Sequence, residues 1–271
     1  MPRAVERTDP GPPRGVITAD GAPGPIEHRR VAPTAALAGS IAHFWWVRWR
    51  LTAPFVVATL PHPCVHLTIE PGRAEVGGVA TRRFERRLVG DGWVFGVKFR
   101  PGGFRPLASG PVSRMTDRAL AIDAVFGAAG TALAAAITAA AEPVGQVALA
   151  EAFFAPRVAP LAPAIAQIRD VAERLARDPE LVRVADVAVV AALTPRTLER
   201  RFRDYVGVGP KWVLRRYRLH EAAERLKAPS PPSLATLAAA LGYADQAHFA
   251  RDFKAAIGCT PRAFSARARV G

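Results

Sequence analysis

Thr194-Pro195-Arg196-Thr197-Leu198-Glu199-Arg200-Arg201-Phe202 and Asp245-Gln246-Ala247-His248-Phe249-Ala250-Arg251-Asp252-Phe253 decide how this chain of 271 residues is read. The two stretches lie about 50 residues apart and repeat each other: Arg200 pairs with Arg251, Phe202 with Phe253, Gly207 with Gly258, and Pro210 with Pro261. Each follows a short apolar-striped segment. Val184, Val187 and Ala188 form the first stripe, and Leu234, Leu237, Ala238 and Leu241 the second, at helical spacing. Ala188 and Ala238 are small enough to let two helices cross closely. A short helix, a tight turn and a second helix, repeated in register, form the pattern of two helix-turn-helix units.

The local chemistry agrees. Thr194 is placed to cap the first reading helix, with Pro195 at its first position. Asp245 is the candidate cap of the second, since Ala244 has no side chain that can do it. Gly242 suits the tight turn of the second copy. Ala192 stands there in the first, so that turn is expected to avoid positive φ. Leu198 with Phe202, and Phe249 with Phe253, lie four apart and should face the core. The opposite faces then carry Arg196, Glu199, Arg200 and Arg203 in one helix and Gln246, Ala247, Ala250, Arg251 and Lys254 in the other. Arg and Gln are the side chains that read guanine and adenine edges in the major groove.

Net charge is +14 and the sequence pI is near 11.2, which fits a polyanionic partner. The segment 162–271 holds nineteen Arg and Lys against eleven Asp and Glu; residues 1–161 hold eighteen against twelve. The shorter C-terminal part is thus the more densely basic. Met1 to Gly15 is polar and Pro-rich, without the apolar run of a signal peptide. No run is expected to be long and apolar enough to span a bilayer; the nearest, Ala132 to Ala141, meets Glu142 and Pro143. A cytoplasmic location without membrane contact follows as an expectation. Cys64 and Cys259 are too few for a disulfide framework and fit a reducing compartment.

The chain divides into four expected parts. Residues 1–25 read as a flexible arm and 26–155 as a β-rich sensory or dimerisation domain. Residues 156–163, Pro-Arg-Val-Ala-Pro-Leu-Ala-Pro, read as a linker, and 164–268 as the DNA-binding domain. Within 26–110, Phe55 to Leu60, Cys64 to Glu70 and Trp93 to Arg100 are strand-like runs between Gly- and Pro-rich turns. Ala119 to Ala141 and Val147 to Phe154 read as closing helices. The fold class is α+β: a β-rich barrel-like or sandwich domain with flanking helices, then an all-α domain with two helix-turn-helix units.

The C-terminal text resembles the AraC/XylS family of bacterial transcription regulators. The matching residues are Thr194 to Phe202, Gly207-Val208-Gly209-Pro210, Arg215-Arg216-Tyr217-Arg218-Leu219 with Ala222 and Leu226, Leu241-Gly242-Tyr243, His248-Phe249, Arg251, Phe253-Lys254, Gly258 and Thr260-Pro261-Arg262-Ala263-Phe264. Ala244 departs from the family, which usually has Ser there. The resemblance implies a seven-helix domain whose two reading helices, joined by one long helix, enter successive major-groove segments. Carried over by position, the DNA-binding residues are Thr194, Arg196, Thr197, Glu199, Arg200, Arg203, Gln246, Ala247, Ala250, Arg251 and Lys254. Glu199 suits a cytosine amino group, and Arg200 and Arg251 suit guanine; a phosphate contact is the alternative for each Arg.

His43 to Trp49, Leu60 to Leu67 and Phe95 to Gly103 resemble an N-terminal domain found in a subset of these regulators. This implies a sensory or dimerising role. Trp45, Trp46, Trp49, His62 and His66 are the candidate effector pocket, with core packing as the alternative. On a strand, Trp45 and Trp49 share a face with His43 and Val47, and Trp46 takes the other with Phe44 and Arg48. His62, Cys64 and His66 could share a face with His43 as a metal site, but the spacing is uncommon and Pro61 and Pro63 interrupt the strand. No metal and no cofactor is expected. The implied partners are double-stranded DNA, a small-molecule effector, a second copy of the chain and, for an activator, RNA polymerase. Two other functions compete. One is a DNA-targeted enzyme using Cys64 for alkyl transfer, which needs a lowered thiol pKa. The other is an architectural DNA binder, which gives the long N-terminal domain no purpose.

Overall fold

A computed structural model of the chain describes residues 15–18, 21–140 and 142–268. The N-terminal half is two antiparallel sheets. Strands β1 (Val16–Thr18), β4 (Phe55–Thr59) and β7 (Phe84–Leu88) form one, in the order β1-β4-β7. The other runs β2-β3-β8-β5-β6-β9, from Ile26–Val31, Ile41–Arg50, Asp91–Phe99, His66–Glu70, Arg73–Gly77 and Ala119–Ala121. Val16–Thr18 lies inside the segment expected to be an arm, yet it pairs with β4. Residues 1–14, the rest of that expectation's start, lie outside the described residues.

The larger sheet is decided by alternation on β3 and β8. Phe44, Phe95, Val97, Leu67, Ile69 and Phe99 are buried on one face, against helices α1 (Ile122–Ala139) and α2 (Pro143–Phe154). Phe99, Phe104, Phe126, Phe153 and Phe154 meet edge to face there. Trp46 packs on this core, while Trp45 and Trp49 join a separate apolar cluster on the other face. The two indoles need room, and β8 provides it. Trp45 stands opposite Gly96 and Trp49 opposite Gly92. A Cβ on Gly96 would fall 2.1 Å from the Trp45 ring, and one on Gly92 2.3 Å from Trp49.

By length and composition, α1 is apolar enough to cross a membrane, contrary to the sequence expectation. It is not one straight span: Gly127, at φ 60° and ψ −152°, breaks its backbone.

Seven helices follow among the described residues: α3 (Pro163–Leu175), α4 (Val184–Val190), α5 (Pro195–Tyr205), α6 (Pro210–Lys227), α7 (Leu234–Ala240), α8 (Gln246–Ile257) and α9 (Pro261–Arg267). They build two cores. Ile168, Val187, Ala188, Leu198, Phe202 and Val213 centre the first; Leu219, Leu237, Ala238, Phe249, Phe253 and Phe264 centre the second. The N-terminal domain reaches into both, with Val79 in the first and Leu60 in the second, each at most 1% exposed.

Candidate nucleic-acid interface

Two copies of one device carry the candidate site. In the first, α4 crosses α5 through Val187 and Ala188, and Leu198 and Phe202 bury the inner face of α5 completely. The Thr194 hydroxyl accepts the Thr197 N–H at 3.2 Å, which caps α5 ahead of Pro195. In the second, α7 crosses α8 through Leu237 and Ala238, and Phe249 and Phe253 are fully buried. Asp245 accepts from the His248 N–H at 2.6 Å and is the cap. Gly207 and Gly258, at φ 105° and 92°, end the two reading helices, and Pro210 and Pro261 begin the next ones. That is the physical content of the repeated Gly-x-x-Pro.

The two turns differ from the sequence expectation. Ala192 adopts φ 49°, where positive φ was expected to be avoided, and Gly242 adopts φ 68°. The bonding explains it. Leu193 N–H donates to Ala188 O, and Tyr243 N–H to Ala238 O, both at 3.0 Å. The helix crossing imposes the same reversal on both turns, whichever residue occupies it. The second turn is one residue longer, since Tyr243 and Ala244 separate Gly242 from its cap and Leu193 alone separates Ala192 from Thr194.

Burying these inner faces leaves Arg196, Arg200, Arg203, Gln246, Ala247, Arg251 and Lys254 exposed, with Thr197, Glu199 and Ala250 half-buried. Among the described residues, Arg196, Arg200, Arg251 and Lys254 have no ion-pair partner, so their charge is available to an incoming polyanion. Other cations of the domain are committed: Arg201 to Gln167 at 2.8 Å and Arg215 to Asp252 in a two-bond fork at 2.6 and 2.7 Å. Glu199 and Arg203 are paired at 2.7 Å, and Glu199 also lies against Gly209. Neither is presented as a free reading group.

The sequence reading missed the neighbour of α5. A groove of about 500 Å³ runs between Pro111 and Ser113 of the N-terminal domain and Arg196, Glu199, Arg200, Arg203 and Asp204. It is pinned by Arg105 on Asp204 at 2.9 Å and by the Thr116 hydroxyl donating to Gly207 O at 2.7 Å. Further contacts tie the halves. Arg216, buried over the Trp212 ring at 4.5 Å, donates to Thr81 O at 2.6 Å, and burial lowers its pKa to about 10. Arg100 pairs with Glu173, and Arg83 donates to Ile257 O at 2.7 Å. No local periodicity signals such long-range pairs.

The proposed effector residues do not form one pocket. Trp46 points into the helix-covered core. His62 stacks on His220 of α6, ring centroids 4.1 Å apart. His66 lies edge-on to Trp45 at 6.2 Å, and Trp49 packs with Leu51, Leu88 and Val94. Among the described residues no group of three His, Cys, Asp or Glu is placed to hold a metal ion. Cys64 is buried and burial pushes its thiol up, the opposite of what an alkyl-accepting nucleophile needs.

Comparison with known proteins adds two family matches. Residues 187–267 match a helix-turn-helix domain model, and residues 29–121 match a domain of unknown function, DUF6597. The transcriptional activator RhaS of Pectobacterium carotovorum is 38% identical over 71 residues, covering 26% of this chain and 25% of that protein. An AraC-like transcription regulator of Streptomyces antibioticus is 38% identical over 78 residues, covering 29% and 25%. The chain thus matches about a quarter of the length of these relatives. The DNA-binding domain of AdpA, solved with a target DNA, is 28% identical, covers 38% of this chain and 94% of its own, and has a TM-score of 0.34.

Proposed function

We propose, from its membership of the AraC/XylS family of bacterial transcription regulators, that this chain is a cytoplasmic, effector-responsive regulator reading two successive major-groove segments with α5 and α8. The observation that carries this reading is the duplicated capped unit, which buries the inner face of each reading helix and leaves Arg196 and Arg200, and Gln246 and Arg251, turned outward, the three arginines without an ion-pair partner among the described residues. Arg200 and Arg251 take guanine edges, Gln246 an adenine, and Lys254 a phosphate. Thr194 and Thr197 hold the start of α5 in place. The N-terminal domain receives a small-molecule effector and relays its state through the contacts at Asp204, Gly207 and Thr81. A second copy of the chain and, for activation, RNA polymerase complete the assembly.

The test is selection of duplexes from a random pool by the full chain, followed by titration at several salt concentrations. A two-part motif spanning successive turns of the helix, bound more than a hundredfold tighter than random DNA, is the expected outcome (specific sites typically exceed non-specific ones by roughly 10³ or more). Enrichment of no motif would leave an architectural binder.

A further inference from the structure

We propose that the loop 78–83 of the N-terminal domain, braced by Thr116 and Asp117, is a gauge that sets the separation of the two reading helices and so the spacing of the two DNA segments the chain accepts. Arg83 and Thr116 are its positioning residues. This rests on the two-helix reading above and adds what fixes the distance between the halves.

The two helix-turn-helix units need such a part. Their cores are separate clusters. Among the described residues, α6 is the one helix that contributes to both, through Val213 and Leu214 in the first and Leu219, Ala222, Ala223 and Leu226 in the second. A single helical link leaves bending and twisting between two packed bodies as the softest motions of the domain. A second link, at a distance from the first, removes them.

The loop supplies that second link. Val79 is fully buried in the first core. Thr81 O accepts from Arg216 of α6 at 2.6 Å. Arg83 donates to the carbonyl of Ile257, the last residue of α8, at 2.7 Å. The Thr116 hydroxyl donates to Gly207 O, just past α5, at 2.7 Å. The N-terminal domain therefore holds the same point of both copies, the C-terminal end of each reading helix. The chemistry suits that point. Carbonyls at a helix C-terminus lack intrahelical donors, and a cation there also meets the negative end of the helix. The repeated glycines make the room. A Cβ on Gly207 would stand 3.2 Å from both the Thr116 hydroxyl and a Val112 methyl, and one on Gly258 would fall 1.9 Å from the Arg83 guanidinium.

Asp117 makes the grip stiff. It stands at φ 58°, in the left-handed region that an L-residue enters at a cost. Its own bonds offset that cost. The Asp117 N–H donates to Val79 O at 3.0 Å, and its carboxylate accepts from the Thr81 N–H and the Thr81 hydroxyl, each at 2.6 Å. Such a backbone persists only where its surroundings over-determine it. Thr116 is the neighbour of Asp117, so the contact on α5 and the loop that reaches α6 and α8 belong to one bonded unit. Arg83 is steered in turn by its ion pair with Glu85 of β7.

The test uses the full-length protein and three duplexes: the two-part site selected from the random pool, and the same site with one base pair inserted or removed between its parts. One base pair moves the second part by roughly 3.4 Å and turns it by roughly 35°. The unaltered chain should bind the shifted duplexes about tenfold more weakly or worse. Arg83→Met and Thr116→Val each free the end of one reading helix. Each should cut that penalty to about threefold or less, with base preferences inside each part unchanged. Leu133→Ala, in the α1 core, should lower the melting temperature without touching the loop, and should keep the full penalty. An unaltered chain indifferent to spacing, an undiminished penalty in either variant, or a Leu133→Ala protein that loses the penalty as well would overturn the proposal. Selection that enriches no two-part site would remove the two-helix reading itself, and the gauge with it.

Discussion

Ala192 and Gly242 hold the same left-handed turn position in the two helix-turn-helix units, at φ of 49° and 68°. Both also donate a backbone bond three residues back, Ala192 to Val189 O at 2.9 Å and Gly242 to Ala239 O at 3.0 Å. An L-residue there costs roughly 1–2 kcal/mol that glycine does not. Gly242→Ala should therefore destabilise the protein by about 1–2 kcal/mol. The new Cβ would also press on Val182 at 3.1 Å. Ala192→Gly removes the strain but loosens the unfolded chain, so it should be neutral or stabilise by up to about 1 kcal/mol. Urea unfolding of both variants reads the difference; Ala192→Gly losing as much as Gly242→Ala would refute the shared geometry.

The exposed cations of the reading helices should separate by role. Arg200→Ala should relax preference at one base pair and cost about 1–3 kcal/mol on the selected site. Lys254→Ala should weaken selected and random duplexes alike and reduce the salt slope by about one. Binding titrations on both DNAs, at several salt concentrations, decide it. Equal losses on both duplexes for Arg200→Ala would reassign that residue to phosphate. Glu199→Ala should act chiefly by freeing Arg203, its partner at 2.7 Å, so non-specific binding should strengthen.

The legible parts of this chain are those whose signals are local. Capping residues, the four-residue spacing of Leu198 and Phe202, and the repeated Gly-x-x-Pro all act within one or two turns of chain, and α5 and α8 start where Thr194 and Asp245 place them. Alternation also placed Trp45 and Trp46 on opposite faces. What stayed hidden depends on partners far along the chain. Gly92 and Gly96 look like weak points in a strand until Trp49 and Trp45 are laid across them. His62 and His66 are four residues apart and only His66 lies on β5, so one stacks on α6 and the other faces Trp45. Ala192 was misread because the helix crossing, and not the residue's own preference, sets its backbone. Glu199 was read as a free acceptor because its pairing with Arg203 competes with its use on DNA.

Stability should fall on mild acidification. His43 and His66 fold with pKa values of about 2 and about 3, against 6.5 for a free imidazole. The unfolded chain then takes up protons that the folded chain refuses. The stability these groups contribute is fully present above pH 6.5 and is lost as pH falls toward 3, by up to about 1.4 kcal/mol per pH unit for each histidine. Melting temperature followed from pH 7.5 to pH 5 should show this slope, and His43→Gln should flatten it. An unchanged slope in that variant would place the titrating groups elsewhere.

Residues 164–271 alone should fold and bind the selected duplex. Both helical cores are closed chiefly by their own helices, through Leu198, Phe202 and Val213 in one and Phe249, Phe253 and Phe264 in the other. The fragment does lose Val79 and Leu60, which are at most 1% exposed in the full chain, so it should melt lower. Burying such side chains stabilises by roughly 1.5–3 kcal/mol each. It also loses the wall formed by Pro111 and Ser113 beside Arg196 and Arg200. DNA approaching α5 then meets no protein on that side, so affinity per molecule should equal or exceed that of the full chain. Arg105→Ala with Thr116→Val in the full chain should move affinity the same way, because it removes both ties to the end of α5, at Asp204 and Gly207. Circular dichroism and a binding titration on the fragment, the double variant and the full chain test the argument together. A fragment that is helical yet fails to bind, beside a full chain that binds well, would mean that the N-terminal domain supports DNA recognition instead of standing beside it.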